Sequence, residues 1–276
     1  MKQSTHLPNL QLVSVKKLLL HETIDERRVE RLARRLSDEK RLKNPPAVTL
    51  LPHSDLLMVL DGANRVAAFN SLGIPHIIAQ VVSYDDPGVE LDAWNHVVAG
   101  LPERQFRRAL DDLPHLQLEE CSIHDARSAL AVGDAEAYVV FKDAVCQVRN
   151  RMSGGKIRLL NDLVETYKGK ADIYRGSNDD FAKQAPSYND ITALVVFPSF
   201  RPPDLIALVR RGEVLPSGIT RHIIAERALR INIPLSVLSK ETSLSEKEAW
   251  LSRWWHDCLA ANAVRFYAES TFLFDE

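Results

Sequence analysis

Short apolar runs and helical patterns alternate over the first 85 residues of the chain. Four apolar runs predict strands: Gln11–Val15, Ala47–Leu51, Leu56–Leu60 and Ile77–Val82. Apolar residues at helical spacing predict one helix over Asp25–Leu36 and another over Val66–Gly73, where the glycine ends it. This order of elements predicts a small α/β domain over residues 1–85.

The turn-forming residues Ser83–Gly88 predict the end of this first domain. Leu91–Val98 fits either a strand or a short helix, and residues 122–155 and 168–200 show no clear pattern. We therefore expect a second, mixed domain over residues 86–276 and an α/β (α+β) fold class. Its predicted elements are helices over Glu103–Leu110, Lys156–Tyr167, Asp204–Arg211 and Ser245–Ala263, and a strand over Arg227–Ile233.

Charge and composition narrow the class of protein. The chain of 276 residues has 35 Lys and Arg against 37 Asp and Glu, a balance that argues against broad contact with a nucleic-acid backbone. No apolar run approaches the ~20 residues of a membrane-spanning helix, and the first residues lack the apolar stretch of a signal peptide. The three cysteines lie far apart without CxxC spacing, which argues against a zinc ribbon or a disulfide framework. The sequence thus predicts a soluble, cytoplasmic protein.

The segment Asp61–Arg65 lies between a predicted strand and a predicted helix. A helix N-terminus offers unpaired N–H groups to an anion, and Gly62 lets a phosphate approach the backbone closely. Arg65, one turn into the helix, could hold a phosphate in a bidentate way. The alternative is a helix cap with Asp61 as the N-cap residue, and the pattern alone leaves both interpretations open.

The triplet His21-Glu22-Thr23 follows the apolar Leu18–Leu20. A carboxylate that a fold directs into a cleft can act as a general base. The alternative is a packed or surface His21 and a Glu22 that caps the helix predicted from Asp25.

The segment Pro216–His222 brings a hydroxyl, a guanidinium and an imidazole into succession. In an extended conformation Thr220 and His222 would lie on one side and Arg221 on the other. Such a group suits a zwitterionic ligand or a phosphate. The alternative is a polar connection that caps a helix starting near His222.

Taken together, these segments resemble a known family. The N-terminal part is similar to the ParB/sulfiredoxin superfamily, whose nucleotide-handling turn has the form Asp-Gly-x-His-Arg. The chain from residue 20 to 222 resembles the free L-serine kinases of that superfamily, which include siderophore-cluster kinases and an archaeal ADP-dependent enzyme. The matching segments are Leu20–Thr23, Asp61–Arg65, Ala93–His96 and Arg211–His222.

The resemblance implies phosphoryl transfer from ATP or ADP, with Mg²⁺, to the hydroxyl of free L-serine, giving O-phospho-L-serine for a biosynthetic pathway. It implies that Glu22 is the catalytic base and that Asp61 lies beside the transferred phosphoryl group, assisting catalysis or the magnesium. The phosphates would be held by Gly62, Ala63, Asn64 and Arg65. The amino-acid pocket would be lined by Trp94, Thr220, Arg221 and His222.

One residue departs from the family pattern, and some alternatives stay open. Asn64 stands where the family turn has a histidine, and an asparagine cannot carry a positive charge. Sulfiredoxin activity needs a cysteine that this turn lacks, and no helix-turn-helix pattern of a partition protein follows the first domain. The alternatives to a serine kinase are a nucleotide-gated regulator or DNA-binding protein, and a kinase of homoserine or threonine.

Overall fold

The computed structural model describes residues 7–151 and 155–267. Its strands are β1 (Leu10–Ser14), β2 (Leu18–Leu20), β3 (Arg41–Leu42), β4 (Ala47–Leu50), β5 (Leu57–Asp61), β6 (His76–Val82), β7 (Val89–Ala93), β8 (Asn95–Ala99), β9 (Leu116–Glu120), β10 (Ala137–Val140), β11 (Val145–Asn150), β12 (Asp172–Gly176), β13 (Ile191–Val196), β14 (Thr220–Ile224) and β15 (Ile233–Pro234). Its α-helices are α1 (Glu26–Glu39), α2 (Ala63–Ser71), α3 (Glu103–Asp111), α4 (Ile123–Val132), α5 (Lys156–Glu165), α6 (Phe181–Gln184), α7 (Pro202–Arg210), α8 (Leu235–Ser239) and α9 (Leu244–Ala260). Among the described residues, no helix is both long and apolar enough to cross a membrane.

The chain divides into two compact units that are discontinuous in sequence. The first unit comprises the described residues up to Leu20, Ile24–Glu90, and the described residues from Ile223 onward. The second comprises His21–Thr23 and Leu91–His222. The predicted domains 1–85 and 86–276 were continuous, whereas here the C-terminal segment belongs with the first unit and three N-terminal residues belong with the second.

The first unit is built on a five-stranded mixed sheet in the order β1-β6-β4-β5-β2. Helix α1 begins where the Asp25 carboxylate accepts a hydrogen bond from Arg28 N at 3.0 Å, and α2 begins directly after β5. The alternation of strands and helices predicted for this region is confirmed. The prediction succeeds because the apolar periodicity of this region is strong.

The C-terminal segment joins the first unit through its apolar side chains. Ile233, Leu235, Leu238 and Leu251 belong to the same buried cluster as Phe69 and Ile77. Strand β15 also pairs with β3, with Ile233 opposite Leu42. Burial of apolar surface thus assigns this segment to the first unit, although it lies far away in sequence.

The strand predicted over Arg227–Ile233 is wrong. Glu226, Arg230 and Asn232 have φ values of 55°, 54° and 51°, which a regular strand does not contain. Only Ile233 and Pro234 form a strand. The alternating pattern instead reflects an irregular segment whose side chains bond into the first unit.

The second unit is built on a six-stranded antiparallel sheet in the order β12-β8-β13-β10-β11-β9. Val97, Tyr138, Val140, Leu194 and Val196 form a buried cluster on this sheet. Leu91–Val98, which fitted a strand or a helix, lies in two strands, β7 and β8. Several of the second unit's elements lie in residues 122–155 and 168–200, whose pattern predicted no element.

Replacing Leu238 with alanine tests the assignment of the C-terminal segment. Leu238 is fully buried in the first unit's cluster, so Leu238→Ala should lower the free energy of unfolding by about 2–5 kcal/mol. The measurement is urea-induced unfolding. Leu259→Ala, at a leucine that is 41% exposed on α9, is the matched control and should change stability little. Equal effects of the two variants would contradict the assignment.

Candidate active site

The Glu22 carboxylate is held by a loop almost 200 residues further along the chain. Gly218 N donates to Oε2 at 2.7 Å, while Ile219 N and Thr220 N donate to Oε1 at 3.2 and 2.7 Å. The Thr220 hydroxyl also donates to Oε1. Successive backbone N–H groups in a turn form a concave site for an anion, and here the anion is a side chain of the protein itself.

Backbone pairing fixes Glu22 beside this loop. Glu22 forms an isolated parallel bridge with Leu215, in which Thr23 N donates to Leu215 O at 2.7 Å and Leu215 N donates to His21 O at 2.8 Å. Leu215, before the loop, and Ile219, within it, are both fully buried. The interpretation of Glu22 as a cap of α1 is wrong, because Asp25 itself caps that helix.

The carboxylate keeps capacity for a further hydrogen bond. A carboxylate oxygen has two lone pairs, and Oε2 accepts one bond, from Gly218 N, among the described residues. Glu22 is also half-buried rather than enclosed. The geometry therefore leaves Oε2 able to accept a hydrogen bond from a ligand hydroxyl.

Thr220 links Glu22 to a buried histidine. His21 is 3% exposed, and its Nε2 lies 2.8 Å from the Thr220 hydroxyl oxygen. Because that hydroxyl donates to Glu22, it accepts from His21, which places the ring proton of His21 on Nε2. His222 meets the His21 ring edge-on at 5.3 Å between centroids. His21 is therefore part of the packed support of Glu22.

Arg221 lies on the other side of β14, as the extended conformation predicts. Its guanidinium carbon is 4.3 Å from the centre of the Trp94 ring, a cation–π contact. Asp92 Oδ2 lies 3.7 Å from Arg221 Nη1. The interpretation of this segment as the cap of a helix near His222 is wrong, because Thr220–Ile224 is a strand.

A buried histidine supports the loop from within the second unit. His96 is 2% exposed, its Nδ1 lies 2.8 Å from the Tyr167 hydroxyl, and its ring also bonds with the backbone of Ser217 and Gly218. Burial, and then the charge of Arg175, lower the pKa of His96 to about 4. His96 is therefore neutral at physiological pH, and it holds the loop by hydrogen bonds alone.

In the first unit, the turn after β5 has the geometry that a glycine requires. Gly62 is the N-cap of α2 with φ 96°, and a Cβ there would lie 2.7 Å from Arg65 Nη1 and 3.0 Å from Pro46 Cβ. Asn64 Oδ1 accepts a hydrogen bond from Asp25 N at 2.9 Å, so this side chain fixes the start of α1. Arg65 is 9% exposed and packs against the turn.

Asp61 does not cap α2. Its Oδ2 accepts a hydrogen bond from Arg227 Nη2 at 2.9 Å. The same guanidinium donates to Pro45 O at 2.6 Å and to Gln80 Oε1 at 3.0 Å. The interpretation of Asp61 as the N-cap is therefore wrong, and Arg227 is a residue that the sequence did not single out.

The pKa of His96 makes stability depend on pH. An unfolded histidine titrates near 6.5, so between pH 6.5 and 4 the unfolded chain takes up a proton that folded His96 does not. Stability therefore falls as the pH is lowered through this range, by about 2 kcal/mol from this residue at pH 5 relative to pH 7. Urea unfolding at both pH values measures it. The loss should shrink in His96→Gln and persist in His124→Gln, whose histidine is exposed; an unchanged loss in His96→Gln would contradict the assignment.

Comparison with known proteins found relatives whose sequences align with most of this chain. No family model matches it. The ATP-dependent L-serine kinase SbnI of Staphylococcus aureus is 23% identical over 269 residues, which cover 97% of this chain and 98% of SbnI. An ATP-dependent L-serine kinase of Staphylothermus marinus is 26% identical, covering 82% of this chain and 90% of the relative. The ADP-dependent L-serine kinase SerK of Thermococcus kodakarensis is 21% identical over 82% of this chain and 91% of SerK.

Solved structures share the fold. SbnI with a C-terminal truncation, from Staphylococcus aureus, superposes with a TM-score of 0.74 at 21% identity, covering 91% of this chain and 97% of that structure. A free serine kinase in complex with AMP gives a TM-score of 0.72 at 18% identity, covering 86% of this chain and 98% of that structure. The predicted α/β fold and the resemblance to free L-serine kinases are thereby confirmed.

Proposed function

We propose that this protein is a kinase that transfers a phosphoryl group from a nucleotide to the hydroxyl of free L-serine, giving O-phospho-L-serine. The observation that carries the proposal is the Glu22 carboxylate, which the Gly218–Thr220 loop fixes while Oε2 keeps an acceptor site. Named L-serine kinases align with 82–97% of the chain, which supports the choice of acceptor.

In this proposal Glu22 acts on the serine hydroxyl. The hydroxyl donates its hydrogen to Oε2, and the proton passes to the carboxylate as the oxygen attacks the terminal phosphorus of the nucleotide. The new bond joins the serine oxygen to phosphorus, and the bond from phosphorus to the remaining nucleotide breaks. Because the loop fixes Glu22 before substrate arrives, little reorganisation is needed in the transition state.

The turn at Gly62 would bind the nucleotide phosphates. With no Cβ at Gly62, the backbone N–H groups of Ala63 and Asn64 at the start of α2 can approach an anion, which the helix dipole also favours. The side-chain carbonyl oxygen of Asn64, Oδ1, already accepts a hydrogen bond from Asp25 N. The side-chain amide N–H of Asn64 would therefore be the group that it offers to phosphate. Arg65 adds a guanidinium one turn into the helix.

Magnesium would accompany the nucleotide at Asp61. Mg²⁺ is usually bound by one or two carboxylates together with substrate phosphates and water. The Asp61 side chain is 56% exposed, and the described residues form no cluster of three potential ligands, which fits an ion that arrives with its nucleotide. Bound there, the metal would neutralise developing charge on the phosphates.

The amino acid would bind beside Glu22. Trp94, Thr220, Arg221 and His222 are the predicted lining, and all four belong to the second unit, as Glu22 does. ATP and ADP both remain candidate donors, since the relatives include kinases that depend on either.

Product analysis tests the proposal against its alternatives. The 276-residue protein is incubated with Mg²⁺, with ATP or ADP, and with serine, threonine or homoserine, and the products are identified by mass spectrometry. We expect O-phospho-L-serine, with nucleotide consumed only when serine is present. Phosphorylation of another hydroxy amino acid in preference to serine would change the substrate. Nucleotide binding without turnover would favour the regulator or DNA-binding alternative, which the relatives do not favour.

Replacing Glu22 with glutamine tests the proposed base. The change removes the charge and the basicity of the side chain while keeping its shape, so turnover should fall about 10²–10⁴-fold. Nucleotide affinity should be unchanged. Glu213→Gln, at a nearby half-buried glutamate paired with Arg211, is the matched control and should keep activity. Wild-type turnover in a folded Glu22→Gln protein would rule out this role.

Replacing Arg65 with alanine tests the nucleotide site. The loss of a charge-assisted phosphate contact should weaken nucleotide binding by roughly 1.5–3 kcal/mol, whereas Asp61→Asn should mainly lower turnover. Calorimetric titration with nucleotide measures the affinity, and thermal unfolding shows whether each variant is folded. Arg31→Ala, at an exposed residue of α1, is the control. Unchanged affinity in Arg65→Ala would leave the turn as a structural helix start.

A further inference from the structure

Arg175 lies outside the family-like sequence segments, and its side chain lies at the loop that holds Glu22. It belongs to the edge strand β12, directly opposite His96 on β8. Opposed residues of an antiparallel pair point to the same face, so both side chains extend toward the Ser217–Gly218 backbone. Its guanidinium lies against Gly218, where an added Cβ would meet Arg175 Nε at 2.9 Å and Nη2 at 3.0 Å.

The backbone at this contact leaves the guanidinium close to the Glu22 carboxylate without an ion pair between them. Gly218 has φ 81°, a conformation that suits glycine, and the missing side chain makes room for Arg175. Gly218 N is also the donor to Glu22 Oε2. One residue therefore separates the guanidinium from the oxygen that would receive the substrate hydroxyl.

The charge of Arg175 is not compensated within the described part of the chain. The side chain is exposed, and it forms no ion pair with the carboxylates of residues 7–151 and 155–267. Four other arginines of the second unit each face a carboxylate: Arg127 with Asp179, Arg201 with Asp204, Arg211 with Glu213 and Arg221 with Asp92. An unpaired guanidinium beside a proposed reaction centre is suited to bind an anionic group of the ligand.

We propose that Arg175 binds the α-carboxylate of the amino-acid substrate, an inference that rests on the proposed function. The hydroxyl and the carboxylate of serine are separated by two carbons, so a serine whose hydroxyl lies at Glu22 Oε2 can extend its carboxylate to Arg175, which contacts Gly218, the donor to that oxygen. Arg221, the guanidinium singled out in the sequence, already stacks on Trp94 and faces Asp92. Arg221 then shapes the pocket wall, and Arg175 supplies the charge that recognises an amino acid.

Substrates with and without a carboxylate test this assignment. Steady-state kinetics at saturating nucleotide compare L-serine with L-serinamide for the wild-type protein, Arg175→Ala and Arg175→Lys. Arg175→Ala should raise KM for serine about 10–100-fold with kcat nearly unchanged, and should leave KM for serinamide unchanged. Arg175→Lys should recover part of the serine affinity. Arg158→Ala, at an exposed arginine of α5 paired with Asp162, is the matched control.

The contrary outcomes separate this inference from the proposed function. An unchanged KM for serine in an active Arg175→Ala protein overturns the inference and leaves the kinase proposal intact. An equal rise in KM for serine and serinamide shows a structural effect and also overturns it. A larger loss of inhibition by O-phospho-L-serine than of serine affinity assigns Arg175 to the phosphate of the product instead. A wild-type protein that makes no O-phospho-L-serine overturns both proposals.

Discussion

The hydrogen bonds between the Glu22 carboxylate and the N–H groups of Gly218, Ile219 and Thr220 are the interaction on which the second unit's chemistry depends. They place one charged side chain in a site shaped for an anion, and they fix the loop at the same time. Two buried histidines support this pairing. His21 orders the Thr220 hydroxyl, and His96 holds the Ser217–Gly218 backbone without adding a charge.

The turn of the first unit depends on a different kind of constraint, which is steric. Gly62 leaves no room for a side chain, because Arg65 and Pro46 occupy the space. Arg227 then connects Asp61 to the Pro45 carbonyl and to Gln80 on β6, so the carboxylate direction is set by a residue from the C-terminal segment. The C-terminal segment therefore contributes apolar residues to the core of the first unit and also orients Asp61, which the proposed reaction uses.

The elements that were predicted correctly are those that local sequence patterns define. The β5–turn–α2 segment was predicted because apolar periodicity and Gly62 are visible within fifteen residues. Arg227 was missed because its alternating neighbours resemble a strand, whereas its partners lie 147 to 182 residues away. Arg175 was missed for a related reason: only the register of β12 against β8 shows that it shares a face with His96. Long-range pairing of this kind leaves no signal in one sequence, although the family-like segments did bring Glu22 and Thr220 to attention together.

The separation between Glu22 and its donors has a consequence for how the protein is made. Gly218 lies 196 residues after Glu22, and between these two residues the chain passes into the first unit and back again. At about 5–20 residues per second, a ribosome would take roughly 10–40 s to synthesise the intervening chain. During that time the carboxylate has none of the three backbone donors that fix it, and water must solvate it. The order of synthesis thus makes the closure of this loop a late event, and a nascent chain released before residue 220 would carry the proposed base without the groups that position it.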